Sequence, residues 1–192
     1  MTTGAGPRVA FYAPMKPPHH PVPSGDREMA RNLMRIIAAD GAEVSLVSEL
    51  QTRDRSGDTA IQAQLTTAAE AEIARLLHDM PDCALWVTYH NYYKAPDLVG
   101  PAVAKARGIP YIQIESTRAK SRLNGPWAAF AHAAHAAADA ADATEGDRHE
   151  GHGRDGVASV SVAALRDVRD GDDGGRDLHA APHSMFRVTS PL

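Results

Sequence analysis

Cysteine occurs once, at Cys83, so the chain can close no disulfide within itself, and a reducing compartment is the natural expectation. Aromatic residues make up only 5 % of the sequence, which leaves a core to be assembled mainly from Ala, Val, Leu and Ile. No unbroken apolar run approaches the roughly 18 residues needed to cross a bilayer, so no membrane span is expected. A surplus of positive charge is also missing. The net charge of −4 argues against the whole chain being a nucleic-acid binder. The opening MTTGAGPR lacks a basic stretch followed by an apolar run, so no signal peptide is read there and a cytoplasmic protein is the expectation. No G-x-G-x-x-G follows the first apolar run, so the dinucleotide fingerprint is absent.

What is present alternates. Arg8 to Ala13 is a short apolar run that Pro14 ends, a strand by its length and its Val, Phe and Tyr content. Five prolines, at 14, 17, 18, 21 and 23, make the next stretch a loop, since no helix or central strand tolerates that density. Ser24 or Gly25 then opens a helix whose first turn carries Asp26 and Glu28, with Met29, Leu33, Ile36 and Ile37 on one face and Gly41 as its stop. Ala42 to Ser48 reads as a second strand, and Thr59 to Met80 as a long helix with Ile61, Leu65, Ala69, Ile73 and Leu76 facing inward. Cys83 to Thr88 is apolar at nearly every position, as a strand covered on both sides should be. A short helix within Pro96–Gly108, a strand at Tyr111–Ile114 and an Ala-rich helix at Trp127–Ala143 complete the pattern. Strand followed by helix, four times over, implies βαβ units: an α/β protein, a Rossmann-like three-layer sandwich on a parallel sheet, over residues 1–143.

Residues 144–192 change character. They are dense in Asp, Gly, Arg and His, Phe186 is their only aromatic, and no apolar fifth strand follows the Ala-rich helix. Such a composition buries too little apolar surface to offset its ordering entropy, so a disordered tail is expected and the sandwich is incomplete. Out-of-frame translation of a GC-rich gene gives strings of this kind; a genuine disordered tail is the alternative. Two ligand-rich runs in it, Asp147–Asp155 and Asp170–Gly175, match neither a zinc-helix nor a calcium-loop spacing, so no metal is assigned.

In a doubly wound sheet, ligands sit beyond the carboxyl ends of the strands. That rule selects the Pro14–Gly25 loop, the Tyr89–Lys94 segment and Glu115–Arg118. His19 and His20 are adjacent, a poor geometry for one metal ion, but open to contact with a substrate. Ser24 and Gly25 form a helix start that suits an anion or hydroxyl, or simply caps the helix. Tyr89, His90 and Asn91, with Tyr92 and Tyr93, offer rings and amides fit for a sugar's hydroxyls and apolar faces, or they pack the loop. Glu115 can serve as a base or hold a sugar hydroxyl; its plainer role is a surface acid paired with Arg118. His132 and His135, one turn apart, have no evident third ligand and read as core-edge or solvated residues.

Taken together, the stretches RVAFYAPMKPPHHPVPSGDREMARNLMRII, AEVSLVSEL, LWVTYHNYYKAPDLVGPAVAKARGIPYIQIESTRA and GPWAAFAHAA resemble the N-terminal half of bacterial GT-B glycosyltransferases of the family 4, or group 1, type. The resemblance implies two Rossmann-like domains facing a cleft, an N-terminal acceptor domain and a C-terminal donor domain. It further implies transfer with retention from a nucleotide-sugar donor to a glycan or lipid acceptor, with no metal ion or other cofactor and at most peripheral membrane contact. By the same resemblance, Ser24 and Gly25 face the transferred sugar and the donor phosphates, Glu115 stands close to the reacting carbon, and His90 lines the acceptor cleft. The sequence departs from the family in lacking the donor domain's E-x7-E signature, in having Ser24-Gly25 in place of a Gly-Gly pair, and in carrying Glu115 where His is commoner. An inactive chain is therefore expected.

Overall fold

The computed structural model describes residues 6–145. It is an α/β structure with an all-parallel sheet. The elements run β1 (Arg8–Tyr12), α1 (Gly25–Ala39), β2 (Glu43–Ser48), α2 (Thr59–Asp79), β3 (Leu85–Asn91), α3 (Gly100–Arg107), β4 (Tyr111–Ser116), α4 (Ala128–Asp139) and β5 (Ala143–Glu145). The strand order is β2-β1-β3-β4-β5. The chain steps from β1 outward to β2, then crosses back over β1 to β3. The order therefore reverses between β1 and β3, the point where doubly wound sheets bind ligands. Right-handed crossovers put α1 on one face and α2, α3 and α4 on the other.

Local chemistry explains the elements. Ser24 caps α1: its Oγ accepts from the Arg27 backbone N–H, and Asp26 and Glu28 sit at the positive end of the helix. Asp58 caps α2 through the N–H groups of Ala60 and Ile61. Arg107 reaches from α3 to the carbonyls of Leu76, Leu77 and Met80 and closes the far end of α2. The central strands β1 and β3 are buried almost throughout. Trp86 and Tyr12 meet edge to face at their centre, 6.1 Å apart, within a cluster that includes Leu76, Val99, Val103 and Tyr111.

Three features depart from the sequence reading. Ile61 is 40 % exposed rather than inward; Gln62 takes the buried place beside it and donates to Asp54 Oδ2 and the Pro126 carbonyl, each at 3.0 Å. Both β3 and β4 run further than their apolar residues, through His90-Asn91 and Glu115-Ser116. A fifth strand also exists. Ala143–Glu145 pairs with Ile112–Ile114, anchored by the Asp142 N–H on the Tyr111 carbonyl and the Tyr111 N–H on the Asp142 carboxylate, both 2.8 Å. Backbone bonds suffice for three edge residues, so no apolar run announces them. The disorder and frame-shift readings cover residues 144–192; Thr144 and Glu145 belong to this strand, and residues 146–192 lie outside the described residues.

Candidate site at the sheet's switch point

The carboxyl ends of β1 and β3 lie side by side, with Tyr12 in register with Thr88. From β1 the chain enters the proline-rich loop. This loop is largely packed: Pro17 and Pro18 are buried, Arg31 Nε donates to the Pro18 carbonyl at 2.7 Å, and Arg27 Nη1 donates to that of His20 at 3.1 Å. The helix it delivers presents Asp26 to the end of β3. There His90 Nδ1 lies 3.2 Å from Asp26 Oδ1. The contact falls short of a hydrogen bond, for Nδ1 is buried and has no hydrogen-bond partner of good geometry.

His90 and Glu115 are the two residues other than glycine with positive φ among the described residues, at 68° and 61°. They stand at the same level of neighbouring strands, between the pairs Tyr89–Ile114 and Asn91–Ser116. Because both strands make the same left-handed excursion, the ladder stays in register across it. Each such residue costs about 1–2 kcal/mol. The excursion also resets the alternation of side chains. Asn91 therefore joins Thr88 on the α3 and α4 side, where its Nδ2 donates to Gln113 Oε1, Ser116 Oγ and the Ala134 carbonyl, and its Oδ1 accepts from the Asp97 N–H.

A line of rings leads away from His90. Tyr92 lies 5.0 Å from it, Tyr93 5.5 Å from Tyr92, and Trp127 5.3 Å from Tyr93. Burial raises the Tyr92 phenol above its usual range; the charge of Arg53 acts the other way, while Tyr93 and Asp26 add to the rise. Lys94 Nζ sits over the rings of both Tyr93 and Trp127, and the Arg122 guanidinium lies 5.4 Å from the Tyr93 ring centre.

The residues read from sequence fall into two groups. Ser24, Gly25, His90 and Glu115 all lie at the carboxyl edge; Gly25 is open, since an added Cβ would meet nothing within 4 Å. His20 is half-buried and its Nδ1 accepts from the Val22 N–H, so the ring holds the loop's own turn. His19 is exposed, 3.4 Å from Glu49. Tyr89 and Asn91 are buried, and Asn91 spends its whole amide on protein partners. Arg118 pairs with Asp139 on α4 at 2.5 Å. Sequence reasoning missed Asp26 as more than helix-end charge. It also missed Arg53, which lies in a polar loop with no periodic signal. Asp26 was findable: it sits in the first turn after β1, at the switch point.

The first turn of α1 is an ambivalent anion site. Its N–H groups favour negative charge, yet Asp26 and Glu28 stand there. Among the described residues no group of three or more His, Cys, Asp or Glu could hold a metal ion, and no helix is long and apolar enough to cross a membrane. A shallow cavity of about 580 Å³, lined by Pro101, Ala104, Lys105, Ile109, Tyr111 and Asp142, lies at the opposite, amino end of β4 and offers little chemistry. The Cys83 thiol, just ahead of β3, is pushed up by burial and is a poor nucleophile. Comparison with protein-family models finds no matching family, and comparison with curated proteins finds no match.

Proposed function

We propose that this α/β unit is the acceptor-side half of a glycosyltransferase, which takes a sugar from a nucleotide-sugar donor to a hydroxyl of a glycan or lipid acceptor. The observation that carries the reading is the pairing of two strained residues, His90 and Glu115, side by side at the carboxyl edge of the sheet. Non-glycine residues are held in the left-handed region where a site needs their side chains in one place. An imidazole beside a carboxylate, next to the Tyr92 ring, suits a sugar: polar atoms for hydroxyls and a flat face for the ring's C–H groups. In this reading His90 contacts the acceptor and Glu115 lies near the reacting carbon. The scissile bond joins the sugar to the leaving diphosphate, and the new bond forms to the acceptor oxygen.

The test is a titration of the isotope-labelled chain with a panel of hexoses and nucleotide-sugars, followed by NMR and calorimetry. At least one sugar is expected to move the His90 and Tyr92 signals, and His90→Ala should abolish the binding heat. If the whole panel leaves both residues unmoved, the reading fails and an α/β module for some other polar ligand or a partner protein takes its place.

A further inference from the structure

Arg53 stands out among the charged residues at this edge. It makes no hydrogen bond and no ion pair among the described residues, and its Nε is buried. Arg53 as a whole is half-buried, but its Nε–H has lost its water and gains no partner inside the protein in return. Its position is not accidental slack. Thr52 and Asp54 on either side are buried and fastened to two different loops. The Thr52 N–H donates to the Pro14 carbonyl at 3.1 Å and its Oγ1 to the Pro96 carbonyl at 2.7 Å; the Asp54 N–H donates to the Lys94 carbonyl at 2.9 Å. Arg53 is thus mounted on a rigid clip that joins the β1, β2 and β3 loops.

Two more cations at the same sheet edge, Lys94 after β3 and Arg122 after β4, have no carboxylate partner among the described residues. Lys94 is bound to Arg53's neighbour through the backbone, and both Lys94 and Arg122 rest on the Tyr93 and Trp127 rings. The nearby acids are committed. Asp54 accepts from the Ser56 N–H, Ser56 Oγ and Gln62 Nε2, and Asp26 faces His90. Tyr92, which feels the charge of Arg53, also touches the His90 ring, so Arg53 borders the sugar site.

We propose that Arg53, supported by Lys94 and Arg122, receives a phosphate monoester carried by the acceptor, which makes the acceptor a phosphorylated hydroxyl compound rather than a neutral sugar. A planar fork that can bind two oxygens, with two further cations on loops of the same edge, fits a dianion better than a single carboxylate. This inference rests on the sugar-site reading above.

Its test follows the Arg53 Nε–Hε signal in the labelled full chain during titration with glucose, glucose 6-phosphate and inorganic phosphate. Glucose 6-phosphate is expected to shift that signal and to bind about tenfold more tightly than glucose. Arg53→Gln should erase the preference and Arg53→Lys should keep part of it. Vesicles of phosphatidic acid, against phosphatidylcholine vesicles, separate the sources of the phosphate: Arg53-dependent binding to the former makes it a lipid headgroup, and binding only of the soluble ester makes it a sugar phosphate. Equal affinity for glucose and its phosphate, or an unmoved Arg53 signal, overturns the proposal. Should Arg53→Gln not fold, the wild-type signal and Lys94→Gln, expected to weaken glucose 6-phosphate about threefold, decide it. If glucose moves His90 while phosphate never moves Arg53, the sugar site stands and this inference falls. If phosphate moves Arg53 while no sugar reaches His90, the anion site stands without the glycosyltransferase.

Discussion

Glu115 shows how much of this site is stored in single backbone angles. Its φ of 61° is one that glycine adopts freely and that a side chain with a Cβ resists. In an ordinary strand, alanine outranks glycine because glycine pays more chain entropy and packs nothing. At position 115 the order should invert. Glu115→Gly is expected to be more stable than Glu115→Ala by about 1 kcal/mol, read from urea midpoints of the two variants. The usual strand order would mean that the left-handed angle costs nothing here and that the excursion is not a reservoir of strain. The comparison uses two variants that both lack the carboxylate, so lost contacts of Glu115 cancel. The left-handed angle at His90, in the matching position on β3, explains why the side-chain alternation of both strands resets at the same level.

At the scale of elements, one carboxylate joins β3, α3 and β4. Asp97 is buried; its Oδ1 accepts from the Val99 and Gly100 N–H groups and caps α3, while its Oδ2 accepts from Thr88 Oγ1 and Tyr111 OH. Gly100 is required at the helix start because a Cβ there would lie 2.6 Å from Trp86 Nε1 and run into the Asp97 carboxylate. Burial drives the Asp97 carboxyl above its ordinary 3.8, against the hydrogen bonds from Thr88, Gly100, Tyr111 and Val99. The native state then holds this proton more tightly than the unfolded chain does. As pH rises from about 4 through the raised value, unfolded Asp97 is ionised first, and the stability this residue contributes falls. Glu28, Asp54 and Glu72 are shifted the opposite way and lose stability toward acid, but they are common to wild type and Asp97→Asn. Subtracting the two stability curves isolates Asp97. The difference, wild type minus Asp97→Asn, is expected to decline as pH rises above 4, measured by urea unfolding from about pH 4 to pH 8. Parallel curves would show that the Asp97 carboxyl is not raised in the native state above its unfolded value.

Across the described residues, the order of elements was legible because it depends on short-range signals: an apolar run on each central strand, Ser24 as a cap, and Gly41 and Gly108 as stops. The ends of β3 and β4 were not, because the left-handed residues let polar His90, Asn91, Glu115 and Ser116 continue a strand without alternation. The carboxyl-edge rule selects an edge, and it could not tell the half-buried His90 from the buried Asn91, since a positive φ leaves no mark in the composition. Juxtapositions such as Asp26 with His90, and the charge of Arg53 acting on Tyr92, depend on which loops the topology brings together, so only the structure reveals them. The proposed acceptor site occupies one edge of the sheet, and sugar transfer gains much of its rate from holding donor and acceptor in line, an advantage that reaches about 10⁵–10⁸ M in effective concentration. In the reading we propose, the donor is held by a second domain across a cleft. The purified 192-residue chain is therefore expected to bind a sugar yet to release nucleoside diphosphate from nucleotide-sugars no faster than a buffer blank, in a coupled assay with and without glucose 6-phosphate. Turnover above the blank that His90→Ala and Glu115→Gln both remove would show that one edge suffices, and that donor binding as well as acceptor binding belongs to this unit.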